Sequence, residues 1–266
     1  MSKYLIVGGD SFTTDNLMWH NGKNKPFYKT VNNILQHKTW GYYVGEHLGL
    51  ETINTGKAGS GNVGIYTRIQ DAVLDVGAEN VGYVIAGWSK SERLDIETEM
   101  FSRHTTENVY TRAWTNRIVD PTADYYWFIR RSLRSFWQLQ FLCESHNIPY
   151  FQFQMISLFK DYLKLFDMNE HDNNPFRREP LRVDILNTLT ECEYYERIRN
   201  FYGWPIYDEG NGFTMEDHVL KREDGWNNPD LCLHVDPELK NTKNAYDPHP
   251  NDKGHKVIGD KIIENL

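Results

Sequence analysis

A parallel β-sheet covered on both faces by helices is the fold class this sequence predicts, and three observations carry it. Apolar runs of strand length alternate with segments of helical period from Tyr4 to Met155. The early strands stop at polar, glycine-bearing turns. Each is followed by enough chain for a crossover helix. A strand–helix–strand order of this kind gives parallel strands joined by right-handed crossovers, with both faces of the sheet covered.

The elements follow in order. Tyr4-Leu5-Ile6-Val7 is the first strand, and it runs into Gly8-Gly9-Asp10-Ser11-Phe12. A polar loop rich in Asn and Lys occupies residues 19 to 29. Trp40, Tyr43, Val44, His47 and Leu48 recur at helical spacing, which predicts a helix over Thr39 to Leu48 closed by Gly49. Glu51 to Asn54 is a short strand, ending in the loop Gly56-Lys57-Ala58-Gly59-Ser60-Gly61-Asn62. A helix over Val63 to Val76 follows. The third strand is Val81 to Ala86, ending at Gly87-Trp88-Ser89.

From Leu94 to about Val119 the chain is polar and aromatic with weak periodicity. Asp120-Pro121 caps a long helix reaching about His146, with Pro121 in its first turn. Tyr126, Ile129, Leu133, Phe136, Trp137 and Phe141 form its apolar stripe. Pro149 to Met155 alternates and reads as a fourth strand. Further helices are predicted near Val183 to Tyr202 and Thr214 to Arg222, and the remainder of 156–245 reads as a helical and irregular insertion or lid. A last helix covers Asp252 to Asn265. The whole of 1–266 is one domain.

Composition removes several classes. The net charge of −8 is wrong for a nucleic-acid binder, which shows a basic face, and for docking on an anionic membrane. Neither partner is expected. Cys143, Cys192 and Cys232 are odd in number and far apart, without a CxxC pair, so neither a zinc knuckle nor a disulfide framework is expected. No apolar run is long enough to cross a bilayer. The first strand begins almost at Met1, so no signal peptide is expected and synthesis is cytoplasmic.

Three strand ends carry polar turns: Asp10-Ser11, the Gly59-to-Asn62 loop, and Gly87-Trp88-Ser89. In a parallel sheet they open on one edge. A nucleophilic serine needs a base in hydrogen-bond reach and donors for an oxyanion. His249, in Asp247-Pro248-His249-Pro250 just before the last helix, can return to that edge as the base, with Asp247 to orient its imidazole. The glycine-rich loop can supply a backbone N–H at Gly59, and Asn62 a side-chain amide.

The combination resembles the SGNH (GDSL-type) hydrolase family. Its first block is matched by Gly9-Asp10-Ser11, its second by Asn54 through Gly59, and its last by Asp247-Pro248-His249-Pro250 followed by Gly254-His255. The resemblance covers the two ends and the first ninety or so residues. It implies a three-layer, flavodoxin-like sheet, a Ser11 nucleophile and a His249 base. It also implies oxyanion donors at the Ser11 and Gly59 N–H groups. The implied reaction is cleavage of a small ester, such as an acetyl on a carbohydrate, without a cofactor or metal.

The chain departs from the family twice. Ser89 stands where the family has an oxyanion-donating Asn, and losing one such donor costs about 10²–10³ in rate. Asn62 or Arg93 could compensate. The orienting Asp247 is two residues before the histidine rather than three, which still shares a face in extended chain. Gly87-Trp88-Ser89 with downstream Arg93 resembles divergent bacteriophage-encoded members. Virion association or self-association is the partner expectation that goes with it, and Trp88 and Arg93 are the candidate substrate-binding residues.

Other readings stay open. The same fold without turnover would be a virion structural or carbohydrate-binding module, and Tyr110, Trp114 and Tyr125 would suit sugar stacking or a protein interface. A nucleotide binder using the Gly59 loop leaves the Asp247-to-Pro250 ending unexplained. His249, His255, Asp247 and Asp252 cluster near the terminus, but their spacing fits no standard zinc motif. His218 and His234 read as surface or core histidines.

Overall fold

The structure, a computed structural model, describes residues 3–15, 17–18, 30–31, 34–35, 38–91, 93–98, 103–108, 125–158, 187–204, 212–234 and 246–266. Its centre is a five-stranded sheet. In chain order the strands are β1 (Tyr4–Gly8), β2 (Glu51–Asn54), β3 (Val81–Trp88), β6 (Tyr150–Gln154) and β7 (Phe201–Tyr202). A hairpin of β4 (Arg93–Thr98) and β5 (Arg103–Asn108) lies between β3 and β6 in the chain. The helices are α1 (Trp40–Leu48), α2 (Asn62–Val76), α3 (Tyr125–Ser145) and α4 (Asp252–Ile263). Two late strands, β8 (Cys232–His234) and β9 (Tyr246–Pro250), pair antiparallel just before α4.

The sheet order is β7-β6-β3-β1-β2, and every pair is parallel. The chain leaves β1 toward β2 on one side and crosses to β3 on the other. The crevice beyond the carboxyl ends of β1 and β3 is therefore a topological switch point, the place where open α/β sheets bind ligands.

Strand alternation sorts the core into two layers. Leu5 and Val7 of β1, Ile85 of β3, and Phe151 and Phe153 of β6 pack with Trp40 and Val44 of α1 and Ile258 and Ile262 of α4. Ile6, Val84, Ala86 and Trp88 face the other way, onto Ile65, Ile69 and Val73 of α2 and Ile129, Leu133 and Phe136 of α3. Burial on both faces is why β1 and β3 read as continuous apolar runs. Each such fully buried aliphatic side chain stabilises the fold by about 1.5–3 kcal/mol. The three-layer α/β class is as predicted.

Several local expectations change. Residues 94–119 do hold regular structure in part: β4 and β5 pair from Arg93↔Asn108 to Thr98↔Arg103. The stripe of α3 is rotated from the predicted one. Phe128, Ile129, Leu133, Phe136, Leu139 and Cys143 are buried, whereas Tyr126 and Phe141 are exposed. Asp120 and Pro121 lie outside the described residues. The predicted helix over Val183 to Tyr202 is helical only at 187–191 of its described part; Tyr195–Arg197 is a 3-10 turn and Phe201–Tyr202 is β7. Tyr195, Ile198 and Phe201 are all buried, and their spacing of three imitates a helix stripe. Asn200 and Gly203, both at positive φ, break the path around β7. The helix predicted over Thr214 to Arg222 is a π-helical turn at Glu216–Leu220. The stretch 156–245 thus supplies one strand of the central sheet and the partner of β9.

Candidate active site

Ser11 follows β1 by three residues. The turn is tight because the Asp10 carbonyl accepts the Thr13 N–H at 3.0 Å and the Thr14 N–H at 3.1 Å. Gly9 has to be glycine: a Cβ there would lie 2.0 Å from Thr13 Oγ1 and 3.2 Å from the Gly87 carbonyl. Asn54, at the end of β2, donates to the Thr13 carbonyl and to Asp15 Oδ1, both at 2.6 Å, and pins the far side of the turn. The result presents a half-buried serine at the switch point.

His249 arrives from the opposite end of the chain. Across β8 and β9, Leu233 pairs with Asp247 but Cys232 pairs with Pro250. One step on β8 spans three on β9, so Pro248 and His249 form a bulge. Bulges re-aim side chains, and Pro248 has no N–H to lose from the ladder. Just beyond, the Asn251 side chain caps α4 by accepting the Gly254 N–H at 3.0 Å and donates to the Cys232 carbonyl at 3.2 Å. His249 Nε2 lies 2.7 Å from Ser11 Oγ. The Phe12 ring stacks on the imidazole at 4.6 Å between centroids. With its proton on Nδ1, the ring accepts the Ser11 O–H at Nε2, the geometry of a nucleophile and its base.

The remaining strand-end residues form a network with a different purpose from the one expected. The Ser89 hydroxyl donates to Asp10 Oδ2 at 2.9 Å and accepts from Arg93 Nη1 at 2.6 Å. Its proton is spent on a carboxylate, so Ser89 is not the oxyanion donor expected in place of an Asn. Asn62 is spent as well. Its amide donates to the Ser89 carbonyl and to Ser132 Oγ, each at 3.0 Å, and its oxygen accepts the Ser89 N–H at 2.9 Å. Asn62 staples α2 to the end of β3 and has no hydrogen left for an oxyanion. Trp88 points into the core, fully buried, with its indole N–H on Gln152 Oε1 at 3.0 Å and its ring against Phe136. It is not at a substrate surface. Arg93 faces inward too, pairing with the fully buried Asp10 carboxylate at 2.9 Å and donating to the Ser60 carbonyl at 3.2 Å.

Gly59 sits in the turn Lys57–Ser60 at φ 78°, a left-handed conformation that favours glycine. The Lys57 N–H donates to the Gly9 carbonyl at 3.1 Å, which ties this turn to the one carrying Ser11. Among the described residues the N–H groups of Ser11 and Gly59 have no intramolecular acceptor. Only the backbone of Asp247 is described, opposite Leu233. Tyr110 and Trp114, and the side chain of Tyr125, lie outside the described residues. Among those described, no group of His, Cys, Asp and Glu could hold a metal ion. His255 is buried on α4 and His218 caps its own turn through Thr214. The thiols of Cys143 and Cys192 are buried, and burial pushes Cys143 up to about 12.

Sequence reasoning missed Asp10 and Arg93 as partners, and also Asp95. Asp95 of β4 accepts the Gly61 and Gly64 N–H groups at 2.8 and 2.9 Å, capping α2 from outside it. The Asp10–Arg93 pairing had a signal. In a parallel sheet β1 and β3 end side by side, as Gly8↔Ala86 shows, which brings the segment after β3 near Asp10 without choosing Arg93 over Lys90.

No family model matches the sequence, and no curated protein matches it. Among solved structures, the chain is similar to a Desulfitobacterium hafniense protein assigned to the G-D-S-L lipolytic family, with 15% identity, 100% of each chain covered and a TM-score of 0.46. It is similar to a GDSL-like lipase from Bacteroides thetaiotaomicron, with 11% identity, 98% of this chain and 86% of that one, and a TM-score of 0.43. It is also similar to a variant of Axe2, an acetyl xylan esterase from Geobacillus stearothermophilus, with 14% identity, 99% and 94% covered, and a TM-score of 0.44.

Proposed function

We propose that this chain is a serine hydrolase that cleaves esters of small acyl groups through an acyl-Ser11 intermediate. The 2.7 Å contact between Ser11 Oγ and His249 Nε2 at the switch point of the sheet carries this reading. Ser11 Oγ attacks the acyl carbon while His249 Nε2 takes its proton. The imidazolium then protonates the leaving alcohol, and the neutral ring activates water to release the acid. The N–H groups of Ser11 and Gly59 hold the oxyanion, and Asp247 is the proposed orienting acid for His249. With Ser89 and Asn62 committed elsewhere, the hole has two donors. A site short of one donor runs about 10²–10³ slower. Acetyl groups on a carbohydrate are the substrate class proposed, and no cofactor takes part.

Hydrolysis of p-nitrophenyl acetate and octanoate tests this. The acetate should turn over faster, and Ser11→Ala and His249→Gln should each lower kcat by about 10³-fold or more. Turnover unchanged in Ser11→Ala would remove the mechanism. A wild-type protein inert toward every ester would instead support the non-catalytic module on the same fold.

A further inference from the structure

We propose that Arg93 is a positioning residue whose guanidinium clamps together the two turns that carry the oxyanion donors. The inference rests on the hydrolase reading for its catalytic consequence, but the clamp itself is geometric.

One nitrogen, Arg93 Nη1, lies within hydrogen-bond reach of three acceptors, Asp10 Oδ2 at 2.9 Å, Ser89 Oγ at 2.6 Å and the Ser60 carbonyl at 3.2 Å, its two hydrogens shared among them. Each leads to a strand end. The other oxygen of Asp10 accepts the Phe12 N–H at 3.0 Å, so this carboxylate fixes the Ser11–Phe12 peptide, while the Asp10 carbonyl, accepting the Thr13 and Thr14 N–H groups, holds the Asp10–Ser11 peptide that carries the Ser11 N–H. Ser60 directly follows Gly59, and its N–H closes the Lys57–Ser60 turn. Its hydroxyl also receives Arg68 Nη2 at 2.6 Å. Ser89 ends β3. Arg93 therefore joins the turns after β1, β2 and β3 at a single atom.

The clamp is anchored from behind. Arg131 of α3 donates to the backbone carbonyls of Arg93 and Ser91 and lies over the Trp127 ring at 4.6 Å from its centroid. The Asp10 side chain is fully buried and that of Arg93 is 17% exposed, so the pair acts through a poorly screened medium. Backbone donors need this. An oxyanion donor is useful only if it is already in place, and a misplacement of about 1 Å can cost about 10²-fold in rate. Where the family uses an Asn to donate directly, this chain uses the same strand end to hold the other two donors still.

Arg93→Lys keeps the charge, and with it the partner of the buried carboxylate. Its ammonium ends one bond short of Nη1 and cannot span Asp10, Ser89 and the Ser60 carbonyl together. Ser89→Ala removes one link and spares the ion pair, so it supplies the same readouts should Arg93→Lys not fold. Two measurements are made on each: steady-state hydrolysis of p-nitrophenyl acetate, and amide hydrogen exchange of the peptides spanning 8–14 and 56–62. In Arg93→Lys, kcat should fall by about tenfold or more with KM within about twofold. Exchange at the Phe12 and Ser60 amides should rise by about tenfold. Ser89→Ala should change both in the same direction and by less. Wild-type exchange in both peptides overturns the proposal, as does a loss confined to KM, which would make Arg93 a substrate contact. If the wild type has no turnover, the hydrolase reading falls on its own, and the exchange data alone decide whether the clamp exists.

Discussion

Ser11 and His249 stand 238 positions apart in the chain and 2.7 Å apart in space. Both were legible as single residues. A serine just past an apolar strand and a histidine just before the last helix are placed by the sheet edge alone. Their neighbours were not, because the same polar types do two jobs. An Asn in a glycine-rich loop reads equally well as an oxyanion donor or as a staple, and only the contacts of Asn62 with Ser89 and Ser132 decide. Ser89 likewise reads as a replacement for Asn until Asp10 and Arg93 close around it. From sequence, Ser89→Asn would supply the expected oxyanion amide and raise activity. The structure reverses that. Ser89 is fully buried between two charged side chains, and two added heavy atoms overpack the site by about 1–3 kcal/mol. The melting temperature of Ser89→Asn should fall by about 2–4 °C per kcal/mol, with no gain in turnover. A more active variant with unchanged melting would place Ser89 at the substrate after all.

At the scale of elements, strands and helices with a strong period were read within a residue or two. The strand Glu51 to Asn54 was placed as it stands, and α1, α2 and α4 begin and end close to their predicted limits. What failed was pattern without context. Tyr195, Ile198 and Phe201 repeat at three residues and point into the core from a turn and a strand. The β8–β9 bulge has no local signature beyond Pro248, yet it is what aims His249. The cap of α2 was also invisible, since Gly61 carries no side chain and Asp95 comes from the next hairpin. A Cβ at Gly61 would lie 2.7 Å from the Arg93 carbonyl and from Asp95 Oδ2, so the glycine is what lets Asp95 reach the helix. Asp95→Ala should lower stability by about 1–2 kcal/mol, the value of a lost N-cap, measured by chemical denaturation. A change within about 0.3 kcal/mol would show that the cap is satisfied by other means.

At the scale of the whole molecule, the order β7-β6-β3-β1-β2 explains why the site is where it is. The chain reverses direction across the sheet between β1 and β3, and the turns after both strands meet over that crevice. Class and layering followed from the sequence, because burial on both faces leaves unbroken apolar runs at β1 and β3. The part that did not follow is the contribution of 156–245, where β7 and β8 are two and three residues long and too short to carry a period. Among the described residues no helix is long and apolar enough to cross a membrane. That His249 activates Ser11 is tested most directly by intact mass with peptide mapping after a fluorophosphonate probe. One adduct per chain, located on Ser11, abolished in Ser11→Ala and slowed by about 10²-fold or more in His249→Gln, is the expected result. An adduct elsewhere, or labelling of Ser11 at the wild-type rate without His249, would contradict it.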